Sequence, residues 1–292
     1  MKAALRRIGA RYPAVQQTVE AILRLDVEVD RLPTIPFFEP ISLVEVVDGK
    51  RRLIDISPDL LSAWCQHAAY GSRVRMRSVE RGIVSELEAG QLLCAMVLLR
   101  GHMEAAAQAA YCEELLVDAA SSGKWDGMGE ILLRTMLGTS LRIAARRVPE
   151  INEFISPAEH FPLEIGETIK ALDRFAAAGH SPGRHSQVLY SFLCEFAHPA
   201  LRGIRASFEA TEDEFRGWTI RYRSDSREVI SEADIPTALE ILVENMRYGY
   251  ACSELLRRSR VTGVFPALTL EPPSSDDGHF IWSQLLQRPG AG

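Results

Sequence analysis

Two short stretches hold the residue types that can do chemistry at useful spacings. In "LLRGHMEAAAQAAYC", Arg100 and Glu104 stand four residues apart, and Gln108 and Tyr111 continue the series. Side chains at intervals of three and four share one face of a helix. The surroundings are rich in alanine and leucine, so that face is predicted to be only partly solvated. An arginine and a carboxylate drawn out of water must pair, or each carries a desolvation cost of several kcal/mol. Arg100, Glu104 and Tyr111 would then line a polar pocket. An ion pair along a single helix, with no ligand, satisfies the same spacing.

The second stretch is "YSFLCEFAHP", residues 190–199. Ser191, Glu195 and His198 fall on one helical face, beside Tyr190. Pro199 disfavours helical geometry at His198, so the helix is predicted to stop there. A histidinium in a last turn gains roughly 0.3–1 kcal/mol from the helix dipole, and Glu195 one turn earlier favours the charged ring as well. Such a histidine suits general acid/base work or the grip of an anion. A helix-ending histidine bonded to its own carbonyls also fits.

Other chemistries find no residues to run on. No GxxxxGK[ST], GxGxxG, HExxH or GxSxG is present. The five cysteines form no CxxC pair, which predicts neither a zinc site nor a disulfide framework. No metal and no cofactor is expected. The histidines besides His198 (His67, His102, His160, His180, His185 and His279) are scattered. The acidic run "EATEDEF" (209–215) reads as a solvated loop.

The elements that must position these residues are mostly helices. Residues 1–30 read as a helical leader broken at Pro13, and "RLPTIPFFEP" as an extended connector. "ISLVEVVDGKRRLIDIS" reads as a β-hairpin about Asp48-Gly49. Ser57-Pro58-Asp59 opens a helix predicted to run to about Tyr70. A long helix is expected from about Val79 to Ala120, with further helices at about 128–147, 164–178, 184–198 and 234–258. "RGIRASFEA" and "GWTIRYRS" alternate as a second hairpin within 203–224, with "TEDEF" as its loop. The fold predicted is mainly α: an up-and-down helical bundle with two peripheral β-hairpins. It divides into an N-terminal subdomain at 1–75, a bundle core at 76–262 and a tail at 263–292 that holds the amphipathic "HFIWSQLLQ".

Composition narrows the class. The 292 residues are 47% hydrophobic and 25% charged, with a net charge of -6, the mix of a globular protein with a proper core. An acidic balance does not favour coating nucleic acid or an anionic membrane. Only four of the 33 basic residues are lysines. "MKAALRRIGARYPAV" lacks an apolar core long enough for a signal peptide, and "LLCAMVLL" is too short to span a bilayer. A reducing cytoplasm is the expected location.

Taken together, the Arg-x3-Glu helix ending in Tyr111 and the later Tyr190, Leu193, Glu195, His198 and Pro199 resemble a group of bacterial helical proteins distantly similar to the HEPN superfamily and to abortive-infection-type proteins. The similarity covers roughly residues 85–260. It implies an all-helical up-and-down core, often dimeric, and a role in stress or phage defence with RNA or a nucleotide as partner. In active HEPN proteins an arginine, four to six residues and a histidine form a metal-independent RNase site. This chain departs from that pattern, because Ser191, Phe192 and Leu193 fill the places before His198 where the arginine would stand. Arg174 precedes His180 at the right distance, a match expected by chance in so arginine-rich a chain. The resemblance therefore implies a site assembled from Arg100 and Glu104 on one helix and His198 on another. The alternative is a non-catalytic interaction or regulatory protein whose polar stripes are structural.

Overall fold

The computed structural model describes residues 1–25, 44–47, 50–53, 58–125, 127–155, 161–179, 185–197, 208–213, 217–222, 234–262 and 267–270. The chain is mainly helical and its helices form a bundle, as the periodicity predicts. The helices are α1 (Lys2–Arg11), α2 (Gln16–Leu25), α3 (Pro58–Ala89), α4 (Leu92–Ser122), α5 (Met128–Leu137), α6 (Leu141–Ala144), α7 (Ile165–Gly179), α8 (His185–Ala197) and α9 (Asp234–Arg258), with 3-10 turns at Pro13–Val15 and Pro149–Phe154. The chain folds as two compact units. The first holds Met1–Glu28, Arg75–Ala105 and Gly183–Arg247; the second holds Val29–Val74, Ala106–Pro182 and Tyr248–Gly292.

The predicted break between the two long helices is misplaced. The first helix does not end near Tyr70 but continues to Ala89, and the second begins at Leu92 rather than Val79. A buried stripe at Cys65, Ala69, Ser72, Met76, Glu80, Ile83 and Leu87 carries α3 through the polar "YGSRVRMRS". The break falls at Gly90, whose φ of 78° is a left-handed conformation that suits glycine. The Gly90 amide donates to the Leu87 carbonyl and the Gln91 amide to the Glu86 carbonyl. Those two bonds are a Schellman cap, which satisfies carbonyls that the helix end would otherwise orphan.

The helix predicted over 128–147 is likewise two. Gly138 turns extended after α5, and a Cβ there would collide with the Arg134 carbonyl and with Pro162. Arg134 fixes that approach, donating from Nε to the Phe161 carbonyl at 3.1 Å and from Nη2 to the Pro162 carbonyl at 2.7 Å.

In the first unit, α1 packs on α2 with Gly9 against Val19. A hairpin of β3 (Phe208–Asp213) and β4 (Gly217–Tyr222) pairs Phe208 with Tyr222 and Asp213 with Gly217. Thr211, Glu212 and Asp213 are therefore strand rather than the loop predicted for "TEDEF". In the second unit, β1 (Val44–Val47) pairs antiparallel with β2 (Lys50–Leu53); the Asp48-Gly49 turn lies outside the described residues. A third ladder, absent from the sequence reading, joins β5 (Ser259–Thr262) to β6 (Ala267–Leu270) directly after α9. Ser62 ties α3 to it: the Val261 amide donates to Ser62 Oγ at 2.8 Å. Among the described residues, no helix is long and apolar enough to cross a membrane.

Candidate functional site

Arg100 and Glu104 sit one turn apart on the part of α4 that belongs to the first unit. Arg100 Nε lies 3.2 Å from Glu104 Oε1. The residue that joins them is Tyr190 of α8. Arg100 donates to its hydroxyl from Nε at 3.3 Å and from Nη2 at 3.1 Å. The hydroxyl in turn donates to Glu104 Oε1 at 2.9 Å. The guanidinium carbon lies 5.5 Å from the Tyr190 ring centroid, within cation–π range. The cluster is neither dry nor open: the Arg100 and Glu104 side chains are 27% and 22% exposed.

Its electrostatics follow from this geometry. Burial pushes the Tyr190 phenol up, the Arg100 hydrogen bond pulls it down, and Glu104 pushes it up again; the net value rises to about 12. Tyr190 is thus a donor, not a base, at neutral pH. Burial works against the Arg100 charge, but Tyr190 and Glu104 outweigh it and hold the guanidinium above its ordinary value. Nη1 of Arg100 has no hydrogen-bond partner among the described residues.

The other predicted site residues are placed as follows. Tyr111 lies two turns further along α4, in the second unit, where burial raises its pKa in the field of Arg134, Glu114 and Glu167. Ser191 is exposed and donates to the Gln187 carbonyl of its own helix at 2.9 Å. Glu195 is half-buried on α8. His198 and Pro199 lie outside the described residues, as does His180. Arg174 is committed to Glu114 by a two-pronged pair at 2.5 and 2.7 Å.

A second polar cluster involves His102, one of the histidines that local spacing does not single out. His102 and Glu80 are fully buried in the first unit, with His102 Nε2 3.0 Å from Glu80 Oε1. Arg77 Nη1 donates to Glu80 Oε2 at 3.4 Å. His102 Nδ1 is buried without a hydrogen-bond partner among the described residues. The sequence did hold a signal. Ala95, Leu99, His102, Ala106, Ala109, Cys112, Glu113 and Leu116 mark the buried side of α4, and His102 sits in its apolar register.

Among the described residues, no group of three or more His, Cys, Asp or Glu side chains is arranged to hold a metal ion. The chain matches no protein-family model, no curated protein and no solved structure.

Proposed function

We propose that this chain is a HEPN-like helical-bundle protein that binds an anionic group, the phosphate of a nucleotide or of an RNA end, at the Arg100–Tyr190 edge between α4 and α8. The observation that carries this reading is a half-exposed arginine held in a fixed plane with Nη1 left over. A guanidinium offers five N–H donors in a rigid fork and matches phosphate oxygens two at a time. Glu104 and Tyr190 occupy the Nε and Nη2 side, which orients the fork and leaves its remaining edge for a ligand. Tyr190 is held protonated, so its role is to position and donate. Any proton transfer falls to His198, one residue past the end of α8 in sequence. A setting in bacterial stress or phage defence fits a protein of this kind.

A second reading has its own observation. The phenol bridges Arg100 and Glu104 and closes the cluster on itself, as a purely structural clasp between α4 and α8 would. A non-catalytic interaction protein would use it that way. Titrating wild type, Arg100→Ala and Tyr190→Phe with a fluorescent nucleoside triphosphate and a 5′-phosphorylated RNA oligomer separates the two. Loss of binding in Arg100→Ala, with the melting temperature nearly kept, supports the phosphate site. Unchanged binding in that variant, or no binding by the wild type, sinks it.

A further inference from the structure

The surface next to Arg100 is shaped by a side chain that α4 lacks. Cys94, Val97, Gly101 and Glu104 follow one another at intervals of three, four and three, so they lie along one face of the helix. Arg100 stands three residues from Val97 and four from Glu104, at the border of the same face. That face is open: Cys94 is exposed, Val97 is 42% exposed and Gly101 is half-buried. Gly101 leaves a gap in it. A Cβ built there would meet no heavy atom within 4 Å beyond its chain neighbours and the backbone of its own helix. Helix α8 therefore does not fill the space, although its Tyr190 reaches both Arg100 and Glu104.

Packing does not require this glycine. Gly82 on α3 does have a packing reason, since a Cβ there would stand 3.0 Å from Leu98 Cδ1. At Gly101 an alanine would fit without a clash and would favour the helix, because glycine loses more backbone freedom on folding. What the glycine provides is room beside the guanidinium. The resulting strip is low and uncharged, from the Cys94 thiol past Val97 to the bare backbone at 101. Its seven residues of rise make it about 10 Å long, the scale of a nucleoside. A planar base laid on such a strip leaves water, while a phosphate at its end reaches the arginine fork. We infer that Gly101 sets what this site admits: the base and sugar behind the phosphate lie over Gly101 and Val97, so the site selects a nucleoside phosphate over a phosphate without a base. This rests on Arg100 as the phosphate grip and adds the seat for the rest of the ligand.

Isothermal titration of the full chain with AMP and with ribose 5-phosphate tests this, because the two share a phosphate and differ by the base. Wild type should bind AMP at least ~10-fold more tightly, about 1.4 kcal/mol. Gly101→Leu puts a side chain into the gap and should remove that difference, with Gly101→Ala between the two. A 5′-phosphorylated RNA oligomer presents the same terminal nucleoside and should lose affinity in the same variants. Gly71 of α3 also has nothing within 4 Å of a built Cβ, so Gly71→Leu is the matched control and should bind AMP as wild type does. Both leucine variants should melt no lower than wild type, which separates lost affinity from lost fold. The inference is overturned if wild type binds AMP no better than ribose 5-phosphate, if the Gly101 variants keep the AMP affinity, or if Gly71→Leu loses it equally. Arg100→Ala tells which part has failed. If that variant loses AMP while the Gly101 variants keep it, the grip stands and only the seat falls. If it binds AMP like wild type, or if wild type binds neither ligand, both fall.

Discussion

Helix α4 carries two polar clusters built from nearly the same parts, and they differ mainly in their access to water. Arg100, Glu104 and Tyr190 form one; Arg77, Glu80 and His102 form the other. His102 lies two residues from Arg100, and at ~100° per residue that is more than half way round the helix. One cluster faces a partly exposed edge; in the other, a seam, Glu80 and His102 are fully buried. Charged and polar groups in the seam must rely on one another, because little water reaches them. Charges at the edge can exchange a protein partner for a ligand or for solvent at little cost. The same residue types are therefore held by one another on one face and left able to exchange partners on the other.

The sharpest way to break this comparison is at Glu80. Replacing it with Ala takes the carboxylate from both His102 and Arg77 in a buried seam, which should cost about 3–5 kcal/mol. Chemical denaturation reads this directly, and a loss under 1 kcal/mol would mean that water reaches the seam. His102→Leu comes next. It removes one partner of Glu80, keeps Arg77 on the other oxygen and fills the space with apolar atoms. The expected loss is about 1–3 kcal/mol. A gain in stability would show that the orphaned Nδ1 already costs more than the Glu80 hydrogen bond returns.

The sequence exposed the edge cluster more readily than the seam, for a physical reason. Arg100 and Glu104 are four apart on one helix, so local spacing reveals the pair. Glu80 and His102 meet only because α3 turns back at Gly90, and that turn hides inside a pattern that stays helical on both sides. α7, α8 and α9 are legible almost to the residue because their apolar periodicity runs without a break. The hairpin β5–β6 was not legible, since Arg257, Arg258 and Arg260 mask the change from helical to strand alternation. Tyr190 stood out by its motif, but nothing local says that its hydroxyl bridges Arg100 and Glu104. That link rests on tertiary packing between segments 86 residues apart.

The edge cluster should respond far less than the seam. A double-mutant cycle on Arg100→Ala and Glu104→Ala should give a coupling of about 0.3–0.5 kcal/mol in unfolding, typical of a solvated pair one turn apart on a helix. Coupling above 2 kcal/mol would place it in the same class as the Glu80 cluster and favour the clasp over the site. Running the same cycle on nucleotide binding sharpens the contrast. Arg100→Ala should then dominate, and Glu104→Ala should act only by releasing the orientation of Arg100.

The last test is a pH dependence of the edge cluster. Tyr190 ionises near 10 in an unfolded chain and at about 12 in the folded one. Between those values the folded state holds a proton that the unfolded state has lost, so stability falls as pH rises. The contribution is fully present below pH 10 and gone once pH passes 12. Tyr190→Phe has no proton to lose and should show a shallower decline across that window, with its stability at pH 7 lower by the hydroxyl's bonds. The buried thiols of Cys65 and Cys112, pushed up by burial to about 12 and about 11, titrate in the same range and in the same direction. The measurement is therefore a difference between wild type and Tyr190→Phe, in which the cysteine terms cancel. Parallel stability curves from pH 9 to 12 would show that the phenol is not held by Arg100 and Glu104. The orienting contact on which the phosphate site depends would then be missing.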